Sequence, residues 1–226
     1  MDSFKLYNFQ ADFADLSPKY SEILRYMGCK EDSEEIKSIV YECLKEISGV
    51  IKPKACYMLF EIEKNEEEEF VDFGIFNLKS KYLSKNLSKS EQCFIIGATI
   101  GHGIDRLILK YSKISPAKAL CLQSIGTELI EDFCDLLEGV IKKQIGKNLR
   151  PRFSPGYGDV DLSFQNTIFS VLQLEKSAGI TLTDSNIMRP SKSVTAFIGV
   201  GNDECLEDKC LLCDKNNCEY RKMQQD

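Results

Sequence analysis

The sequence is short of the parts on which several common functions depend. It holds one histidine, His102, in 226 residues. A Ser-His-Asp site would have to use it, and nothing beside it resembles a nucleophile elbow; set among glycines, it reads as a structural or helix-start residue. Positive charge is scarce as well: 29 Lys and Arg face 35 Asp and Glu, a net charge of -6. A surface that tracks nucleic-acid phosphates needs the opposite sign. No apolar run approaches the roughly 20 residues of a membrane span, the best being "CFIIGATIG". The N-terminus, "MDSFKLYNFQADFADLS", carries acidic residues where a signal peptide needs an apolar core, which points to a cytoplasmic protein. "GATIGHGID" lacks the Gly-Lys-Ser/Thr ending of a phosphate loop and misses the dinucleotide spacing. Internal repeats and low-complexity stretches are absent too.

Cysteine, by contrast, is plentiful and unevenly placed. Cys29, Cys43, Cys56, Cys93, Cys121 and Cys134 stand singly, mostly among apolar neighbours, where a thiol packs as a small hydrophobe. Cys205, Cys210, Cys213 and Cys218 crowd the last stretch as C-x4-C-x2-C-x4-C. Four thiolates within fourteen residues can converge on one tetrahedral centre, with Asp208, Asp214, Asn216 and Asn217 as turn formers. The first three cysteines also match the C-x4-C-x2-C of plant-type ferredoxins. Thiolate ligation suits zinc and an iron–sulfur cluster alike, and both readings stay open.

Along the chain, "LSPKYSEILRYMG" predicts a short helix capped by Ser17, with Pro18 in its first turn and Gly28 as its stop. A second helix starts near Ser33, with Ile36, Ile39, Val40, Cys43, Leu44 and Ile47 on one face, and ends by Pro53. "ACYMLFEIE" and "EFVDFGIFNL" read as a hairpin around a solvated acidic loop, "KNEEEE". "EQCFIIGAT" fits a buried strand or the start of a helix. The best helix follows Ser115 and Pro116, keeping Leu122, Ile125, Leu129, Phe133, Leu136, Val140 and Ile141 in helical period. Another puts Phe164, Ile168, Val171 and Leu172 inward and stops at Gly179, and "KSVTAFIGVG" makes a last strand. The expected fold is therefore α+β: a mixed or antiparallel twisted sheet with long amphipathic helices. Residues 1–201 form one domain, and 202–226 a short Cys-rich metal-binding tail.

Between the last two helices lies an irregular loop, "RPRFSPGYGD". Pro155-Gly156 enforces a tight turn, Arg152 offers a planar fork for a carboxylate or phosphate, and Tyr157 adds an aromatic face with a hydroxyl. Taken alone, such a loop is a weak signal.

Its surroundings carry more. "RFSPGYGD", the helix after it, "GITLTDSNIMRPSKSVTAFIGVG" and the earlier "LIEDF" resemble the activation (S-adenosylmethionine-binding) domain of cobalamin-dependent methionine synthase. That family shows Arg-x-x-Pro-Gly-Tyr, a helix, Gly-x-x-Leu-Thr-x-Ser-x-x-Met-x-Pro and a Ser-Val strand; here the elements run in that order from Arg152 to Gly201. Looser similarity reaches back to about Ser115, so about half of the chain is covered. "GATIGHGIDRL" and "SPAKALCLQSIGTELIE" look like the free-standing, shorter versions of the domain.

The resemblance implies a ligand site. Arg152 matches the arginine that holds the methionyl carboxylate of S-adenosylmethionine, and Glu131 the helix glutamate facing the ligand's amino group. Tyr157 matches the tyrosine beside the sulfonium, and Ser154 a small residue that contacts the ligand through its backbone. The family's further acidic ligand falls, by position only, on Asp12 or Asp15. The charges are complementary: a bidentate arginine for a carboxylate, an anion for the ammonium, an aromatic face for the sulfonium. The bland reading of Glu131 is a solvated helix residue beside Glu128 and Asp132.

The implied role is rescue of a cobalamin enzyme whose cobalt has slipped to Co(II), by one electron and a methyl group from S-adenosylmethionine. The chain has no Asp-x-His-x-x-Gly cobalamin-ligating motif, so cobalamin comes only through a partner: a cobalamin-binding methionine synthase, with a flavodoxin- or ferredoxin-like electron donor. The C-terminal cysteines have no counterpart in the fused enzyme. Two other functions compete: iron–sulfur electron transfer through the tail, and a module that senses S-adenosylmethionine without chemistry.

Overall fold

The computed structural model describes residues 1–201 apart from Lys30, Glu66 and Glu68. Residues 202–226, and with them Cys205, Cys210, Cys213 and Cys218, lie outside the described residues.

The chain opens with strand β1 (Leu6–Gln10), then helices α1 (Tyr20–Met27) and α2 (Glu34–Ser48). Strands β2 (Lys54–Glu61), β3 (Glu63–Asn65), β4 (Phe70–Asp72) and β5 (Asn77–Lys79) follow, then helix α3 (Lys81–Asn86), strand β6 (Gln92–Thr99) and helix α4 (Gly103–Ser112). Helix α5 (Pro116–Ile145) is the longest, at 30 residues. After it come β7 (Asn148–Leu149), α6 (Gln165–Leu172), α7 (Leu174–Ser177), β8 (Thr181–Leu182), β9 (Met188–Arg189) and β10 (Ser193–Gly201).

The main sheet runs β1-β2-β6-β10-β7 and is antiparallel at each pairing. Its central strands read as continuous apolar runs because both faces are covered. Ala55, Tyr57 and Leu59 of β2, Phe94, Ile96 and Ala98 of β6, and Ala196, Ile198 and Val200 of β10 meet α2, α4 and α5. The alternate residues, Cys56, Phe60, Cys93, Ile95 and Phe197, meet α6, α7 and the small β3-β4-β5 sheet on the other face. The period-two alternation thus serves two cores at once. At Gly97 an added Cβ would come within 2.3 Å of the Leu174 side chain, so glycine is what lets α7 seat on β6.

Several expected elements form as read. Ser33 caps α2 by accepting from the Ile36 amide, and Ser115 caps α5 with Pro116 at its first position. Gly28 ends α1 in the left-handed conformation. "EQCFIIGAT", which left strand and helix open, is strand β6, and His102 stands at the start of α4.

Three details differ. Helix α1 starts at Tyr20, not at Ser17, because the Ser17 and Lys19 amides donate instead to Asp132 and Glu128 on α5. "ACYMLFEIE" and "EFVDFGIFNL" meet only where Glu63 faces Asp72: β2 lies between β1 and β6, while the second run supplies β4 and the short β5. The long-range partners fill both edges of β2, and only the stub β3 pairs across the acidic loop. The helix after the loop breaks at Gln173, in the left-handed region, before Gly179 is reached.

Of the six scattered cysteines, Cys43, Cys56, Cys93, Cys121 and Cys134 are buried and Cys29 is half-buried, all as free thiols. Burial pushes the Cys93 and Cys134 thiols up to about 12, so both stay neutral packing groups. No helix among the described residues is long and apolar enough to cross a membrane.

Candidate functional site

The irregular loop is built onto the edge of β10. Arg150 donates its amide to the Gly199 carbonyl at 2.8 Å, and Phe153 exchanges two hydrogen bonds with Phe197. Three steps along the loop thus span two along β10, and the extra residue makes a bulge around Pro151, which has no amide to give. Side chains alternate between the two faces, and the extra residue shifts that alternation by one. Phe153 joins the core with Phe197 and Phe164, whereas Arg152 faces α5.

There the Arg152 side chain is 7% exposed and meets three carboxylates. Its Nη2 donates to Glu131 at 2.8 Å, and its Nη1 to Asp135 at 2.8 Å and to Glu138 at 2.5 Å. Positions 131, 135 and 138 are four and three residues apart, one stripe of a helix. Burial works against the charge on Arg152. Cys134 and the carboxylates of Glu138, Glu131 and Asp135 more than offset it, and the pKa rises. Since the Cys134 thiol stays neutral, the three carboxylates carry that effect.

The neighbouring acids have other work. Glu128, which burial pushes up, accepts from the Lys19 amide at 3.0 Å, and Asp132 accepts from the Ser17 amide at 2.6 Å. They tie the N-terminal segment to α5. Asp15 accepts from the Asp12 amide and closes a local turn, so both N-terminal candidates lie in a segment lashed to the same helix.

Beyond Arg152 the loop turns sharply. The Tyr157 amide donates to the Ser154 carbonyl, and Gly156 has φ of 90°, a conformation that suits glycine. Asp159 accepts from the Lys81 amide at 2.8 Å and from the Ser80 hydroxyl, anchoring the loop to α3. Tyr157 is left 69% exposed. Beside the turn, Leu162 abuts Gly156 and lines an open hollow of about 230 Å³ with Gln165, Asn186, Ile187, Met188 and Ser191. Leu162 thus touches the turn of "RFSPGYGD" on one side and shares the hollow with residues of "GITLTDSNIMRP" on the other. Another hollow, about 560 Å³, lies at the far end of α5 against Lys142, Lys143 and Lys147.

Of the four ligand candidates, Arg152 and Glu131 are in direct contact, and Ser154 and Tyr157 form the ends of one turn. The sequence reading missed Asp135 and Glu138. Their spacing from Glu131 was a usable signal once α5 was recognised.

A family model described as "Vitamin B12 dependent methionine synthase, activation domain" matches residues 79–222. The chain belongs to this family. The match takes in α5, the Arg152 loop, β10 and the four C-terminal cysteines. Among solved structures, the MetH reactivation domain bound to AdoHcy is similar with a TM-score of 0.66, at 16% identity, covering 91% of this chain and 81% of that one. At that identity the likeness supports the fold. No curated protein matches the chain. Among the described residues no group of three or more His, Cys, Asp or Glu is placed to hold a metal.

Proposed function

We propose that this chain binds S-adenosylmethionine on the face shared by α5 and the Arg152 loop, and supports reactivation of a separately encoded, cobalamin-dependent methionine synthase in the cytoplasm. The observation that carries the reading is the Arg152 constellation: a buried guanidinium kept charged and oriented by α5, on the loop that bears the family's Arg-x-x-Pro-Gly-Tyr pattern. The solved relative bound to AdoHcy supports the ligand class.

In this reading Arg152 holds the ligand carboxylate, and Glu131, whose side chain is 43% exposed, faces the ammonium. Ser154 contributes backbone at the turn, and the exposed ring of Tyr157 lies beside the sulfonium. One guanidinium among three carboxylates leaves the locality net negative, which suits a ligand carrying two cationic centres and one anionic one. When bound, the ligand supplies the methyl group that, with one electron from a flavodoxin- or ferredoxin-like donor, restores the partner's methylated cobalamin. The chain's own residues align that methyl and leave it accessible; no general base is needed. Exposed Tyr157, Leu162 and Ile187 beside the hollow give an apolar rim for a docked partner.

Calorimetry with S-adenosylmethionine tests the site: Arg152→Ala should weaken binding by roughly 2–5 kcal/mol, the loss expected for a buried charged pairing. Equal affinities would remove the assignment. Incubation with cob(II)alamin-loaded synthase, reductant and methyl-labelled ligand tests the role, and no label on cobalt or methionine counts against it.

The tail supports a second, separable element. Cys205, Cys210, Cys213 and Cys218 hold zinc or an iron–sulfur cluster, within a unit, 202–226, distinct from the 1–201 domain. Brown colour after anaerobic purification selects the cluster and an electron-transfer function; a colourless protein with one zinc per chain selects a structural knuckle.

A further inference from the structure

A guanidinium has five N–H bonds, and its two terminal nitrogens make the end-on fork that grips a carboxylate. In Arg152 Nη1 is engaged by Asp135 and Glu138, and Nη2 by Glu131. Both N–H bonds of Nη1 are therefore in use, and a carboxylate arriving end-on needs one of them. A fourth carboxylate arriving on a ligand meets one positive and three negative charges, and to take Nη1 it must displace Asp135 or Glu138.

They are not equivalent. Asp135 is 65% exposed and Glu131 43% exposed, so water screens both, and Glu131 is on the other nitrogen. Glu138 is 25% exposed and makes the shortest contact, 2.5 Å, to Nη1. Resting on the S-adenosylmethionine reading above, we infer that Glu138 is a latch: its carboxylate competes with the ligand carboxylate for Nη1 of Arg152 and sets the affinity below what the arginine alone would give. With no ligand bound, the latch keeps a buried arginine paired. Ligand binding exchanges one carboxylate for another at the same nitrogen, and Glu138 releases Nη1.

The test is Glu138→Gln, which keeps size and an acceptor oxygen but removes the charge. S-adenosylmethionine should bind the variant about tenfold more tightly by calorimetry, since a charge-assisted competitor becomes a neutral one. Independently of that ligand, phenylglyoxal should modify Arg152 several-fold faster in the variant, read by peptide mass spectrometry. Unchanged labelling overturns the latch. So does wild-type binding with no gain, or a loss, in Glu138→Gln. Faster labelling with no binding by either protein supports the latch and removes the S-adenosylmethionine reading instead. Glu138→Asp, which withdraws the carboxylate by one methylene, should shift both readouts the same way by a smaller factor, and decides the matter should Glu138→Gln not fold. Asp135→Asn should change affinity by about twofold or less; an effect larger than that of Glu138→Gln overturns the choice of Glu138.

Discussion

Arg152 and Lys192 both lie buried against α5, yet their pKa values move in opposite directions. Arg152 has three carboxylates from one stripe of the helix, and its pKa is raised. Lys192 packs over Gly126, donates to the neutral Thr127 hydroxyl at 2.8 Å, and its pKa is lowered by burial, with Asp105 only partly restoring it. Asp105 is itself committed to the Ser191 amide and hydroxyl. Desolvation penalises both cations; the anions that α5 offers at each point decide the sign.

The comparison can be broken most severely at Arg152. Arg152→Ala should leave Glu131, Asp135 and Glu138 facing one another above Cys134 and cost about 2–3 kcal/mol, read from urea unfolding. That is less than the ~3–5 kcal/mol of a fully buried pair, because two of the acids are well hydrated. A loss within experimental error would mean that the carboxylates do not depend on the arginine.

A middle-sized effect is expected at Asp105. Asp105→Asn removes the anion that lifts the Lys192 pKa and weakens the hold on Ser191, costing about 1–1.5 kcal/mol. The Lys192 ammonium should then titrate lower still, followed by NMR. Movement upward would show that Asp105 does not act on it.

The smallest effect should be a gain. Lys192→Met keeps the stem and removes a charge that burial disfavours, stabilising the protein at neutral pH by about 1 kcal/mol. Lys192 has a folded pKa below its ordinary value of 10.5. Between those two values the unfolded chain binds more protons, so wild-type stability rises with pH. The advantage of Lys192→Met should therefore be complete below the folded pKa and shrink as pH climbs toward 10.5. A gap that stays constant with pH would place its origin in packing, not in charge.

Local patterns carried much of this molecule. Ser115 was readable as a cap and Ser33 as the start of α2, each accepting from an amide three residues on, and α5 was readable from its apolar period. The α+β class followed from those helices and the β-branched runs. Strand pairing was not readable: β2 and "EFVDFGIFNL" look like neighbours, yet partners distant in sequence, Leu6–Gln10 and Gln92–Thr99, flank β2. The helix start near Ser17 failed for the same reason, since Asp132, 115 positions away, takes the amide.

The candidate site divides along the same line. Arg152 and Tyr157 stand out within one short loop as a weak local signal, and the family resemblance adds Ser154 and Glu131 and gives all four a role. That Arg152 is buried, that Asp135 and Glu138 join Glu131 upon it, and that the second motif closes a hollow beside the turn were decided by tertiary packing. A bulge at Pro151 and a helix laid across the sheet set those relations, and neither is encoded within any one local window.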